Sequence, residues 1–133
     1  MFLVRTSLRP SRIHGYGVFA EDPIRAGQVV WQFDPRVDLC IPVSALTDFP
    51  AAMQEHLRTY AYTEIHDGVK VMVLCADNAK YVNHSSHPNL IDNPEGTLET
   101  ATRDIPAGEE LTCNYYVSDM AAVEKLGPNP IEG

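Results

Sequence analysis

Two stretches decide how this chain reads. One is Lys80-Tyr81-Val82-Asn83-His84-Ser85-Ser86-His87-Pro88-Asn89, and the other is Gly108-Glu109-Glu110-Leu111-Thr112-Cys113-Asn114-Tyr115-Tyr116. The first crowds polar side chains directly behind residues 69–76, an almost unbroken apolar run that reads as a strand buried on both faces. Asn, His and Ser favour loops and offer hydrogen bonds, so this is either an ordinary polar turn or a ligand site. His84 and His87 are of a metal-ligating type, but no third Cys, His or carboxylate stands at a familiar spacing, and no metal is expected. In the second stretch two tyrosines end an apolar strand. They either line a slot or pack in the core with their hydroxyls at the surface. A third stretch, Arg12-Ile13-His14-Gly15-Tyr16-Gly17-Val18-Phe19, places Gly-x-Gly before a strand. Glycines there let backbone approach a ligand closely, or simply make a turn. The third glycine and the strand–turn–helix setting of a dinucleotide loop are missing.

Working outward, short strands dominate both ends of the chain. Residues 18–20 and 28–33 read as strands joined by a turn at Pro23-Ile24-Arg25-Ala26-Gly27. Residues 98–102 and 110–116 read the same way around Ile105-Pro106-Ala107-Gly108. Ala20, Ile24, Ala26, Gly27 and Val30 match Ala101, Ile105, Ala107, Gly108 and Leu111 at one constant offset, which predicts the same hairpin used twice. In the middle, Pro50 suits the start of a helix. Met53, Leu57, Tyr60 and Ala61 follow at helical spacing, predicting one long helix over 50–62 with a packed face. Asp67-Gly68 marks a tight turn. Asp119 is expected to cap a short helix that Gly127 and Pro128 end at Leu126.

At 133 residues the chain fits a single domain. Its formal net charge is −8, and from His84 onward nine acidic residues meet only Arg103 and Lys125, a net of −7. That balance argues against a phosphate-backbone binder, so no nucleic-acid partner is expected. It favours cationic partners such as Lys/Arg-rich peptides. Cys40, Cys75 and Cys113 are dispersed and odd in number, which fits reduced thiols better than a disulfide frame. No apolar run approaches the roughly 20 residues of a membrane span, and the first residues do not read as a signal peptide. A cytoplasmic protein with no membrane partner is therefore expected.

Taken together, the three stretches resemble the SET-domain protein-lysine methyltransferases. The resemblance runs over about 6–116 and rests chiefly on Asn83–Asn89 paired with Glu109–Tyr115. It implies a mainly β fold with minor helices, a β-clip of small curved sheets whose C-terminal segment makes a pseudoknot. The helical segment, about 44–66, falls where that family carries a variable insert, and 117–133 forms a short helix and tail of the same single domain. The resemblance implies S-adenosylmethionine as cofactor, bound by Gly15, Tyr16, Gly17, Lys80, Asn83, His84 and Tyr115. Tyr115 matches the active-site tyrosine, and Tyr62, Tyr81 and Cys113 would line the substrate channel. Lys80 stands where the family usually has Arg, Tyr81 where it has Phe, and Cys113 where an aromatic residue is common. Ser86 replaces the cysteine that joins a zinc-bound tail in many relatives, and no cysteine follows Cys113. A lid over the cofactor would then come from the helix near 119–126 or from a second subunit, making a homodimer one option.

Methyl transfer to a lysine needs the neutral amine, which is about one part in a few thousand at pH 7 for a free side chain with pKa near 10.4. A sulfonium and a dry channel lower that pKa. Carboxylates crowding the channel would hold the ammonium, so Glu109 and Glu110 are not both expected to point into it. Two other classes stay open: a SET-fold interaction module without turnover, and a β-clip domain that binds a small ligand. A zinc hydrolase on His84 and His87 is a more distant option.

Overall fold

Ten short strands pair into three small sheets in the computed structural model, which describes residues 1–130. The last residues of the expected tail, 131–133, lie outside the described residues. The first sheet sets β1 (Thr6–Pro10) beside β2 (Tyr16–Ala20), then β10 (Glu110–Cys113), then β7 (Asn83–His84). The second orders β3 (Val29–Gln32), β9 (Leu98–Ala101) and β8 (Leu90–Asp92). The third places β6 (Val69–Cys75) between β4 (Asp38–Pro42) and β5 (Tyr62–His66). The architecture is mainly β, as expected.

The matched segments around Gly27 and Gly108 are arches rather than hairpins. β2 and β3 belong to different sheets, as do β9 and β10, so each turn carries the chain from one sheet to the other. The two arches then pair with each other. Ile24 and Ile105 exchange both backbone hydrogen bonds, each 2.8 Å. Ala20 N donates to Glu109 O and Gly108 N to Ala20 O, while Ala101 N donates to Gln28 O and Gly27 N to Ala101 O. The second pair of bonds repeats the first at equivalent positions, so a local two-fold relates the arches. Gly27 and Gly108 turn with φ of +80° and +87°, a region cheap only for glycine. Val18, Ala20, Ile24, Val30, Ala101, Ile105 and Leu111 meet along this seam, each at most 3% exposed, with Val82 and Leu90, and form the main core.

The middle behaves as its apolar run implies. Val71, Met72 and Val73 are consecutive and all buried, so β6 is covered on both faces. Asp67 and Gly68 both take positive φ, the requirement of a two-residue hairpin turn joining β5 to β6. The helix is shorter than its spacing predicts. α1 spans Ala51–Tyr60, and Ala61 is already extended, so Tyr62 opens β5. Only Leu57 of the helix is fully buried, against Ala61 and Met72, while Met53 is 42% exposed. The expected Met/Tyr stripe is thus one Leu anchor plus Tyr60, whose ring meets those of His56 and Tyr81.

The C-terminal segment also departs from expectation. β10 ends at Cys113, and Tyr115 and Tyr116 begin a one-turn helix, α2 (Tyr115–Ser118). Asn114 caps it by accepting a hydrogen bond from Tyr116 N at 3.0 Å, which turns the chain out of the strand. α3 then spans Ala122–Leu126 and ends at Gly127, φ +81°. Asp119 lies before it rather than at its cap. Its carboxylate accepts from Thr63 N and Ala121 N and pairs with Lys125 Nζ at 2.7 Å.

What admits β10 to its sheet is Asn89, 2% exposed. Its Oδ1 accepts from Thr112 N at 2.8 Å, and its Nδ2 donates to Glu110 O at 2.8 Å and Glu109 Oε2 at 2.9 Å. The amide group thus acts as a strand neighbour over the length of β10 where β7 is only two residues long. Replacing it leaves buried backbone groups without partners, so Asn89→Ala is expected to lower unfolding free energy by about 2–4 kcal/mol. Urea unfolding measures this, and a loss within experimental error would show that the bracket does not hold β10.

Candidate active site

Asn83, first residue of β7, pairs with Thr112 of β10 and is 8% exposed. Its Nδ2 lies 3.1 Å from both His14 O and Tyr16 O and 3.0 Å from Glu110 Oε2. One side chain therefore ties the Gly15–Gly17 segment, β7 and β10 together. Gly15 takes φ +47° with open space where a side chain would go. Gly17 is a glycine for a different reason. A Cβ there would lie 2.5 Å from Glu110 Oε2, and that carboxylate is held by Ser11 Oγ and Asn83. The close approach expected of this glycine is thus made by the protein's own carboxylate.

The next link runs from His84 to Tyr115. Tyr115 N donates to His84 Nδ1 at 3.1 Å, which requires that ring nitrogen to be unprotonated. Burial lowers the His84 pKa and favours the neutral ring, in which one nitrogen is free to accept. The Tyr115 hydroxyl donates to Val82 O at 2.5 Å. Burial, then the nearby Cys113, Asp119 and Glu99, push the Tyr115 pKa far above its ordinary value.

Beside Tyr115 opens a cavity of about 470 Å³, the size of a small-ligand site. Tyr115, Tyr62, Cys113 and Lys80 line it, so the structure brings these four expected residues together. Gly15, Tyr16, Gly17, Asn83 and His84 lie outside that lining and cluster on the Asn83 side of Tyr115. Tyr81 does not line it either. It packs on the main core and against Tyr60, with Lys80 Nζ 5.6 Å above its ring. Glu109 binds Arg103 and Asn89, and Glu110 binds Ser11 and Asn83, so neither carboxylate lines the cavity. His84 and His87 bring no third ligand: among the described residues no group of three His, Cys, Asp or Glu is arranged to hold a metal.

Sequence reasoning missed three wall residues. β3 and β8 both flank β9, with Trp31 and Asp92 opposite Glu99, so the three side chains share one face of the sheet toward the cavity. Burial first, then Asp92, raises the Glu99 carboxyl to about 8, and burial raises Asp92 to about 6. Only strand register, absent from any short motif, makes these three neighbours. The other wall is a clasp. Met120 N donates to Thr63 O of β5, and Lys125 Nζ donates to Ala61 O at 2.6 Å while lying 5.9 Å from the Tyr115 ring centre.

The SET domain family matches this chain over residues 15–116. The chain belongs to the SET-domain family. Histone-lysine N-methyltransferase ATX2 from Arabidopsis thaliana is 29% identical over 126 residues, covering 84% of this chain and 11% of ATX2. Chaetomium thermophilum Polycomb Repressive Complex 2 bound to GSK126 superposes with a TM-score of 0.68 at 22% identity, over 92% of this chain and 17% of that one. ctPRC2 in an autoinhibited conformation bound to S-adenosylmethionine gives a TM-score of 0.64 at 22% identity, over 92% and 16%. This SET domain therefore spans a small part of each of these proteins, and the structural likeness is one of fold.

The raised carboxyls of the SET domain have a measurable consequence. Folded Glu99 and Asp92 keep protons at pH values where the unfolded chain, with ordinary values of 4.5 and 3.8, has lost them. The stability they contribute is full below those values and is lost as pH rises through about 6 and then about 8. The thermal midpoint is expected to fall between about pH 5 and about pH 9, and Glu99→Gln to flatten that fall. An identical slope in the variant would show that Glu99 is not buried as described.

Proposed function

We propose that this domain transfers a methyl group from S-adenosylmethionine to the ε-amine of a lysine in a protein substrate. One observation carries the reading: Tyr115 stands between the Gly15–Asn83–His84 cluster and the cavity, with its backbone on His84 and its hydroxyl on Val82. The similarity to ATX2 supports the same activity.

The residues present suit the cofactor. The space at Gly15 is open, the Tyr16 side chain beside it is exposed, and Asn83 holds the segment in place through His14 O and Tyr16 O. Gly15, Tyr16, Gly17, Asn83 and His84 would hold it, and the Lys80 ammonium would meet a carboxylate. S-adenosylmethionine, when bound, supplies an electrophilic methyl group on a sulfonium.

Everything else falls to the chain. Tyr115 keeps its proton throughout the working range, so it is not the base. Its ring and hydroxyl, fixed at both ends, orient the two reactants in line, the positioning that accounts for large rate factors in displacement reactions. Thr63, Asp119 and Lys125 close one wall and keep the cavity narrow. The acidic character of the walls favours a cationic segment of the substrate over an acidic one.

Isothermal calorimetry should detect binding of S-adenosylmethionine or S-adenosylhomocysteine to the wild type, and its absence would end the reading. Tyr115→Phe is expected to retain that binding and to lose transfer onto a basic protein pool on the order of 10²-fold or more. Equal transfer by variant and wild type would show that the Tyr115 hydroxyl does not position the reactants.

A further inference from the structure

Among the described residues, three buried polar atoms without a hydrogen-bond partner belong to side chains that line this one cavity: Trp31 Nε1, Tyr62 Oη and Glu99 Oε2. A buried polar group without a partner is costly, and three in one place call for an explanation. Trp31 is 3% exposed, and its indole meets the Tyr62 ring edge-on with centres 6.3 Å apart. Glu99 stands opposite Trp31 on β3 and opposite Asp92 on β8. The acidic pair is thus joined by a buried donor and a buried hydroxyl, both unpartnered. Two other carboxylates of the walls are already paired. Glu64 meets His66, and Asp119 meets Lys125.

We propose that Glu99 receives the ammonium group of the incoming lysine and takes its proton, with Tyr62 and Asp92 positioning that group. This rests on the methyltransferase reading and adds the base that Tyr115 does not supply. The ligand class is a primary alkylammonium on a flexible stem. Its N–H donors fit acceptors on Glu99 and Tyr62, and its methylenes fit the aromatic walls.

The step balances. The arriving cation ionises Glu99, whose own proton leaves to water; one N–H bond of the ammonium then breaks and its proton moves to Glu99 Oε2. The freed nitrogen lone pair forms the new N–C bond, and the electrons of the S–C bond leave with sulfur. Glu99 then returns its proton to water through the open side of the cavity. Proton transfer is efficient when donor and acceptor are matched in pKa. An ordinary carboxylate is too weak a base for a lysine. Glu99, raised to about 8, lies much closer to a lysine lowered by a dry site. Burial sets most of that value; of the groups that face Glu99, Asp92 on β8 raises it further and the amino group of Met1 lowers it. Its own charge in turn acts on Tyr62 of β5, Cys113 of β10 and Tyr115 of α2. Glu64 of β5 acts on Asp92.

Two readouts test this on the whole chain. In the first, ¹³C-carboxyl NMR follows Glu99 through a pH titration with and without n-butylamine, a stand-in for the lysine side chain. The wild type should bind the amine and show the Glu99 midpoint moving to lower pH, as a cation demands. Glu99→Gln should bind it at least about tenfold more weakly, as loss of a charge-assisted contact implies. Equal binding by both proteins, or none by the wild type, overturns the proposal. In the second, methyl transfer is measured against pH. Glu99→Gln should be slower by on the order of 10²-fold near neutrality and recover steeply toward about pH 10, where the amine loses its proton to solvent unaided. A variant with the wild-type pH profile overturns the assignment of the base. If the amine binds through Glu99 but the wild type transfers no methyl group, the methyltransferase reading fails and the proton-accepting role fails with it. Circular dichroism and S-adenosylhomocysteine binding show that the variant is folded.

Discussion

The Asn89 amide against Thr112 N and Glu110 O is the contact on which the rest depends. A strand that enters a sheet late in the chain must find partners on both edges or leave buried backbone groups unsatisfied. β10 has β2 on one edge, but β7 on the other is only two residues long. Asn89 supplies the missing length with one donor and one acceptor spaced like a strand's own. Seated in this way, β10 delivers Glu110 to the Gly15–Gly17 segment and ends where Asn114 caps α2. Tyr115 is therefore placed by a chain of backbone satisfaction that begins at Asn89 and runs through Asn83 and His84.

The paired arches supply the frame. Because the bonds at Ala20 and Glu109 are repeated at Ala101 and Gln28, two turns of similar sequence brace each other across the Ile24–Ile105 contact. This explains why an apolar residue precedes Ala-Gly in both: the isoleucine is the shared core of the two-fold, and the glycine supplies the turn. It also explains why a local reading predicts hairpins. Turn chemistry specifies a reversal of direction, whereas the choice between pairing within one arch and pairing across two depends on contacts about eighty residues apart, where loop closure rather than propensity decides.

How much of the site was legible follows the same division. Asn83, His84 and Tyr115 stand in dense, unusual motifs, and their clustering is visible as soon as the motifs are taken together. Gly17 is legible as a position of close approach, but not as one filled by Glu110. The end of α1 at Tyr60 is hidden because Ala61 continues the apolar spacing while β6 draws Tyr62 into a strand. Trp31, Asp92 and Glu99 are illegible for a stricter reason. Side chains become neighbours across a sheet through register, and a shift of one residue would turn Glu99 to the other face. No spacing within any of the three strands carries that information.

Register also changes what the acidity of the chain means. The formal charge of −8 treats every carboxyl as ionised and accessible, and the excess after His84 looks like a docking surface. In the folded chain that excess is divided. Glu109 lies on Arg103, Glu110 on Asn83 and Ser11, and Asp119 on Lys125. Asp92 and Glu99 sit on the cavity wall, and with a carboxyl raised to about 8, Glu99 is largely uncharged near neutral pH. Long-range attraction of a basic partner therefore draws on fewer charges than the composition implies. What the pair on the cavity wall offers is different in kind. In a site with little water, a carboxyl that ionises only when a cation arrives acts strongly on that cation and weakly on anything outside. If the cavity takes a lysine as proposed, selectivity for an alkylammonium arises at the cavity wall, and the surface charge governs the rate of encounter.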